Sequence, residues 1–301
     1  MTSDVQPTDS RGDPFELDPQ RVAASFGAAS RTYDAAAMLQ RDVRGQLLER
    51  LDELRLFPEA VLDLGAGTGE GARDLKQRFP NARVVAVDIS VSMLQAAKKQ
   101  LRLLRKFDRV AGNAHRLPFQ DNSFDVVFSN LMFQWCNDLS AAMREIQRVL
   151  TPGGRLLFST FGPDTLVELR LAWAQADPES SRVNRFLDMH DVGSALQQAA
   201  LAEPVLDVDR IVRTYSDVQS LMRELKAIGA RNVTAGRPRG LTGPKRFTNM
   251  LQAYERFRRD GLLPATYEVV FASAWGSDHS PANAQVDGEI LISPSAIKRR
   301  G

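Results

Sequence analysis

Three glycines and two aspartates stand where they could hold a small ligand. Gly65, Gly67 and Gly69 follow Asp63 closely, and Asp88 closes the next apolar run. Glycine tolerates positive φ and lets a ligand approach the backbone. A helix starting after such a turn offers unpaired N–H groups and the positive end of its dipole. Asp88 lies 19 positions after Gly69, near the offset at which an acidic side chain meets a ribose hydroxyl in nucleotide-binding α/β folds. The pattern points to an adenosine-bearing ligand.

The glycine spacing narrows the ligand. Dinucleotide folds use Gly-x-Gly-x-x-Gly under a pyrophosphate. Here the run is Gly65-Ala66-Gly67-Thr68-Gly69, with Glu70 directly after it. Asp63 and Glu70 flanking the turn would repel a diphosphate. They suit S-adenosylmethionine, which carries a sulfonium and an ammonium and has no phosphate.

The elements needed to position these residues are legible. Val61–Leu64 and Arg83–Asp88 read as the first two strands, followed by Phe107–Ala111, Phe124–Phe128 and Arg155–Thr160. Helical patterns alternate with them at 72–79, 90–106 and 139–150. This alternation predicts right-handed βαβ units and a parallel, Rossmann-like sheet with helices on both faces. Ligands in such sheets sit beyond the carboxyl ends of the strands, where Asp63, Asp88, Asn113 and Asn130 gather. Farther on, 164–176, 191–200, 217–228 and 246–260 read as helices, and 208–215 and 266–274 as strands.

The 301 residues allow a full core, and the net charge of +2 makes the whole molecule no obvious nucleic-acid binder. One cysteine, Cys136, excludes an intramolecular disulfide framework and fits a reducing compartment. The expectation is a cytoplasmic enzyme without a signal segment or membrane span. Residues 1–18 and 277–301 read as loose tails, the second with a possible strand at 289–292, around a single domain at 19–276. His190 and His279 lack Cys or His neighbours at ligand spacing, so no metal is expected.

Leu62-Asp-Leu-Gly-Ala-Gly-Thr-Gly69, Asp88 and Gly112-Asn-Ala-His-Arg-Leu-Pro-Phe119 together resemble the class I S-adenosylmethionine-dependent methyltransferases. More specific segments resemble the malonyl-acyl carrier protein O-methyltransferases of biotin synthesis. These are Phe26-Gly-Ala-Ala-Ser-Arg-Thr-Tyr33-Asp with Leu39-Gln40, Asn130-Leu-Met-Phe-Gln-Trp135, Phe161–Arg170, Asn184-Arg-Phe186, Leu225–Ala230 and Ala265–Glu268. The resemblance runs from Phe26 to Trp275, with one departure: Arg182 stands where many members carry His.

The resemblance implies a seven-stranded sheet with its last strand antiparallel, and helical lid elements at 19–50, 164–200 and 217–260. It implies methylation of the free carboxylate of malonyl-acyl carrier protein. That group, with a pKa of about 4, is already ionised and needs no general base, so catalysis rests on alignment and desolvation. In this reading Gly65 and Gly67 admit the cofactor's methionyl end and Asp63 holds its ammonium. Asp88 accepts from the ribose, and Ile89 and Met93 face the adenine. Asn113 and the Ala114 N–H bond its edge, and Asn130 lines the methyl-transfer side. Tyr33 orients the substrate carboxylate, Phe133 and Trp135 wall the pocket, and Arg223 and Lys226 pair with the anionic substrate. His115 is expected to face solvent.

A partner surface is also expected. Residues 223–259 hold ten Lys or Arg against two Glu, a basic stretch suited to steering an acidic carrier protein. A second basic feature, Lys98, Arg102 and Arg105 on the helix from Ser90, reads as a solvated helix back. Two alternatives stay open: a phenol or quinone methyltransferase, which needs a base, and a protein-modifying assembly factor of the same fold.

Overall fold

The computed structural model describes residues 16–101, 106–178, 184, 186–230, 232–234 and 243–278. Each apolar run named above becomes a strand: β1 (Ala60–Leu64), β2 (Arg83–Asp88), β3 (Asp108–Ala111), β4 (Phe124–Asn130), β5 (Leu150–Phe161), β6 (Ala202–Tyr215) and β7 (Leu263–Trp275). They form one seven-stranded sheet in the order β3-β2-β1-β4-β5-β7-β6. β1 pairs in parallel with β2 and β4, β2 with β3, and β4 with β5. The last strand, β7, runs antiparallel to both β5 and β6. Because β2 and β4 leave β1 on opposite sides, a crevice opens at the carboxyl ends of β1 and β4.

Alternation along the strands divides the core into two layers. Val61, Val126 and Phe128 pack on one face with α3 (Met38–Asp52), α4 (Glu70–Arg78), α7 (Val167–Ala176) and α10 (Pro244–Glu255). Leu62, Val127 and Phe158 pack on the other with α6 (Leu139–Val149) and α8 (Met189–Gln198). α6 shows how sequence fixes such a contact. Asp138 caps it by accepting from the Ala141 N–H at 2.8 Å, and Leu139, Ala142, Met143, Ile146 and Val149 recur every three or four residues on its buried side. Burying each large member stabilises by about 1.5–3 kcal/mol; Ile146→Asp would break the face.

Several expected boundaries move, three of them with a visible local cause. The helix expected over 90–106 is α5 (Val91–Ala96), tightening to a 3-10 turn at Ala97–Gln100. There Ala97 packs on the glycine turn, within 2.8 Å of where a Cβ on Gly69 would sit. Leu101 is extended, and 102–105 lie outside the described residues, as does much of that basic face. β6 starts at Ala202 rather than 208 because its pairing with β7 reaches back to Ala202, past a register shift between Ala202 and Val205; Glu203 and Asp207 disguised it, since pairing overrides propensity. α7 begins at Val167, after a turn in which Leu166 has φ +54°.

Residues 16–18, assigned to the N-terminal tail by composition, are engaged: Leu17 is buried and bridges Thr234. Asp18 caps α1 (Pro19–Ala29). At the other end Ser277 bonds Gln147 and Ala200. The strand suggested at 289–292 and the departure at Arg182 lie outside the described residues.

Candidate active site

The glycine turn is folded back on β2: the N–H groups of Gly65 and Ala66 both donate to the Val87 carbonyl, at 2.8 and 2.9 Å. Gly65 and Gly67 have φ of +76° and +54°. They serve different ends. A Cβ on Gly65 would lie 2.3 Å from the Met132 Cγ, whereas one on Gly67 would meet nothing within 4 Å. Gly65 is required by packing; Gly67 leaves its backbone open to a ligand. Asp88 holds the turn from the end of β2, accepting from the Gly67 N–H at 2.8 Å and the Ser90 N–H at 2.7 Å. Burial raises its pKa, against the pull of those two N–H groups.

A first cavity opens here. It is lined by Gly65, Gly67, Asp88, Ile89, Met93, Asn113, Ala114 and Asn130, which brings together eight of the nine residues expected to bind cofactor. The ninth, Asp63, is elsewhere. Asp63 shares the face of Val61 on β1, so its carboxylate points under α4, 2.8 Å from where a Cβ on Gly71 would sit. It accepts from the Ala72 N–H, and its Oδ2 is buried with no partner. Burial pushes its pKa up to about 7, opposed by Arg44. Asp63 thus supports the turn from beneath instead of lining the cavity.

His115, expected to face solvent, is partly exposed and also belongs to this site. It lines the first cavity, with Nδ1 3.0 Å from Asn113 Oδ1 and Nε2 3.0 Å from the Asp138 carbonyl oxygen. The Asp138 contact joins positions 23 apart across the fold, and no sequence period signals it.

The N-terminal helices cross the cavity as a strap. Leu17 and Asn137 exchange two hydrogen bonds of 2.8 Å. Ser25 donates to the Gly229 carbonyl at 2.9 Å and Thr32 to that of Ala227 at 2.8 Å. Thr68, on the glycine turn and 3% exposed, donates to Asp34 at 2.5 Å. Asn130 donates to the Gln40 carbonyl at 3.0 Å and accepts from Ser159 at 2.9 Å. These bonds fix α2 (Tyr33–Ala36) over the strand ends.

Tyr33 stands at a junction. It lines the first cavity and a second one, as do Phe26, Leu131 and Trp135. Its hydroxyl has no hydrogen-bond partner among the described residues. Burial, and then the charge of Asp88, raises its pKa, so it stays a neutral donor. Trp135 packs edge-on against Phe26, ring centres 5.1 Å apart.

The second cavity runs between the strap, α7, β7 and α9 (Val218–Ala227). Three expected substrate residues do not reach it. Phe133 is fully buried, edge-on to Phe158 at 4.8 Å. Arg223 and Lys226 are exposed on α9, which turns Glu224 and Leu225 to the cavity. A helical phase set by Leu221, Leu225 and Ile228 carries 223 and 226 away from that face. Neither cavity is lined by Lys or Arg among the described residues. A wall without cations does not suit a phosphate, while Asp88, an open glycine backbone and the apolar Ile89 and Met93 suit an adenosyl sulfonium.

Among the described residues no helix is long and apolar enough to cross a membrane, and no group of His, Cys, Asp or Glu could hold a metal ion.

Comparison with known proteins gives this geometry its context. The methyltransferase domain family matches residues 62–158, the segment from β1 to β5. The fold resembles that of the YcgJ protein of Bacillus subtilis, with a TM-score of 0.54 at 17% identity, covering 77% of this chain and 98% of that one. The chain is 52% identical over 270 residues to the malonyl-[acyl-carrier protein] O-methyltransferase of Methylovorus sp. (strain MP688), covering 87% of this chain and 90% of that protein. It is 46% identical over 291 residues to the enzyme of that name from Halorhodospira halophila, covering 96% and 98%. S-adenosylmethionine is therefore the cofactor, and the chain belongs to the malonyl-[acyl-carrier protein] O-methyltransferase family.

Proposed function

We propose that this protein transfers a methyl group from S-adenosylmethionine to the free carboxylate of malonyl-acyl carrier protein, giving a methyl ester at the start of the pimeloyl chain of biotin. The observation that carries this reading is the junction of the two cavities at Tyr33, Phe26, Leu131 and Trp135. The cofactor supplies an electrophilic methyl on a sulfonium centre. Bound there, it would let a carboxylate oxygen gain a C–O bond in exchange for the C–S bond, whose electron pair would stay on sulfur, with no proton to move. Tyr33, a neutral donor, orients the carboxylate. The rings of Phe26 and Trp135 exclude water, which favours a reaction that destroys charge. With no Lys or Arg in the wall among the described residues, the carboxylate keeps its nucleophilicity and its attraction to the sulfonium.

A phenol substrate would need a base at the junction. His115 is the one imidazole in either wall among the described residues, and it lines only the cofactor side, not the junction or the second cavity. The remaining site residues keep the roles read from the sequence: Asp88 with the ribose, Ile89 and Met93 with the adenine, Asn113 and Ala114 with its edge. The lid elements at 19–50, 164–200 and 217–260 belong to one methyltransferase domain. A lone cysteine, free in the structure, supports a cytoplasmic setting.

The acidic carrier would dock on the basic face within 223–259. Arg258 is paired with Glu255, and Arg256 donates to Gln175, so the exposed Lys226 and Lys245 are the better contacts. Lys226→Glu with Lys245→Glu should raise KM for the carrier most at low salt; an unchanged KM removes this face. The function itself is tested by methyl transfer from labelled S-adenosylmethionine to malonyl-, acetyl- and succinyl-acyl carrier proteins. A gain of one methyl on the malonyl species alone is expected. Cofactor binding without any methylated carrier would overturn the substrate.

A further inference from the structure

Four buried side-chain polar atoms among the described residues have no hydrogen-bond partner: Asp63 Oδ2, Arg155 Nε, Asn184 Oδ1 and the Tyr215 hydroxyl. Of these, Asn184 Oδ1 alone belongs to a residue that lines the second cavity, and none belongs to a residue of the first. That wall is mixed: Phe161, Leu166 and Phe186 stand beside Gln40, Glu224 and Tyr267. Of the polar side chains in that wall, Thr165 donates to the Glu268 carbonyl at 3.0 Å and Asn232 accepts from Thr234 at 2.7 Å. A buried acceptor left without a donor destabilises the fold, and each such group calls for an explanation. Here the explanation lies in what enters the cavity.

The occupant must bring a hydrogen-bond donor. A malonyl group cannot, because its carboxylate and thioester carbonyl are acceptors only. The pantetheine arm that bears acyl groups on carrier proteins can, because it contains two secondary amides. Asn184 is absent from the cofactor-side wall, whereas Tyr33 stands in both. The two ends of the substrate are thereby separated: carboxylate at Tyr33, arm at Asn184. Resting on the function proposed above, we propose that Asn184 accepts a hydrogen bond from an amide N–H of the pantetheine arm, and so selects malonyl thioesters by their arm as well as by their acid. A site that hydrogen-bonds its substrate rejects an analogue lacking the matching group, because the protein's buried atom is then left unpaired.

The test compares wild type with Asn184→Leu on three substrates: malonyl-acyl carrier protein, malonyl-N-acetylcysteamine and malonyl S-pentyl thioester. The last has the same acid and a chain of similar length but no amide. Where turnover of a small thioester is too slow, its inhibition constant against malonyl-acyl carrier protein is read instead. The expected result is a tenfold or greater loss of kcat/KM for the two amide-bearing substrates and less than twofold for the S-pentyl thioester, with cofactor affinity by calorimetry unchanged. Equal losses for all three, or none for any, would overturn the role of Asn184. A wild-type enzyme that methylates no malonyl thioester would instead overturn the function beneath it.

Discussion

The two cavities meet at four side chains, yet they are built differently. In the first, the Tyr33 hydroxyl apart, most polar groups are already bonded within the protein. Asp88 holds the glycine turn, Asn113 and His115 hold each other, and Asn130 is engaged on both sides of its amide. The second is walled by residues from position 26 to position 267, and one of its polar residues keeps a buried oxygen unbonded. A preset frame suits a cofactor that is the same at every turnover. A mostly apolar wall with an unmet acceptor suits a flexible arm that must enter and leave.

Substitutions that injure one cavity and spare the other would sharpen this contrast. The largest effect is expected from Tyr33→Phe. Loss of an orienting donor at the reacting oxygen should lower kcat about 100-fold, with the cofactor dissociation constant within about twofold of wild type. Equal loss of both would make Tyr33 part of the frame and erase the distinction. Asp88→Ala should do the reverse, weakening cofactor binding roughly 30-fold, the scale of hydrogen bonds to a charged group, while kcat at saturating cofactor changes little. Titration calorimetry beside steady-state kinetics reads both.

Smaller effects should link the cavities. The Thr68–Asp34 hydrogen bond ties the glycine turn to the helix that carries Tyr33, so Asp34→Ala and Thr68→Val should each cost about tenfold in turnover. The double variant should be no worse than either, because both remove one bond. Additive losses would show that the two regions act independently. The smallest effect concerns pH. Burial pushes the Asp63 carboxyl up to about 7 in the folded protein, from an ordinary value of 3.8, so between those values the native state holds a proton that the unfolded chain has released. Its contribution is therefore intact below about pH 4 and lost as pH rises through 7. The Tm of the cofactor-free protein should fall across that interval, and Asp63→Asn should flatten the fall.

The first cavity was far more legible in the sequence than the second. A glycine turn, an acidic strand end and an Asn-Ala pair lie on consecutive strand–helix units, and local pattern fixes where each unit ends. The Asp63 error arose because residue type was read without strand phase: two positions after Val61, it shares that residue's face and is drawn under α4. Arg223 and Lys226 were chosen by charge, although the helical period already carried them off the inward face. Phe133 and Trp135 lie together in one 3-10 turn. Their opposite fates, one against Phe158 and one in both cavities, follow from tertiary packing that no local period encodes. Leu17 was out of reach for the same reason, since Asn137 and Thr234 hold it from far along the chain.

The strap has a consequence for how the protein is made. Its segment is translated early, but Ser25 and Gly229 are 204 positions apart, Thr32 and Ala227 195, and Leu17 and Asn137 120. Contacts so distant along the chain form late, after the loop between them has closed. On the ribosome, strands β1 to β5 can emerge and pair while residues 17–36 wait, their apolar side uncovered, for α9 to be synthesised. The nascent chain thus acquires its methyl-donor frame well before it acquires a roof, and chaperone demand should be greatest in that interval.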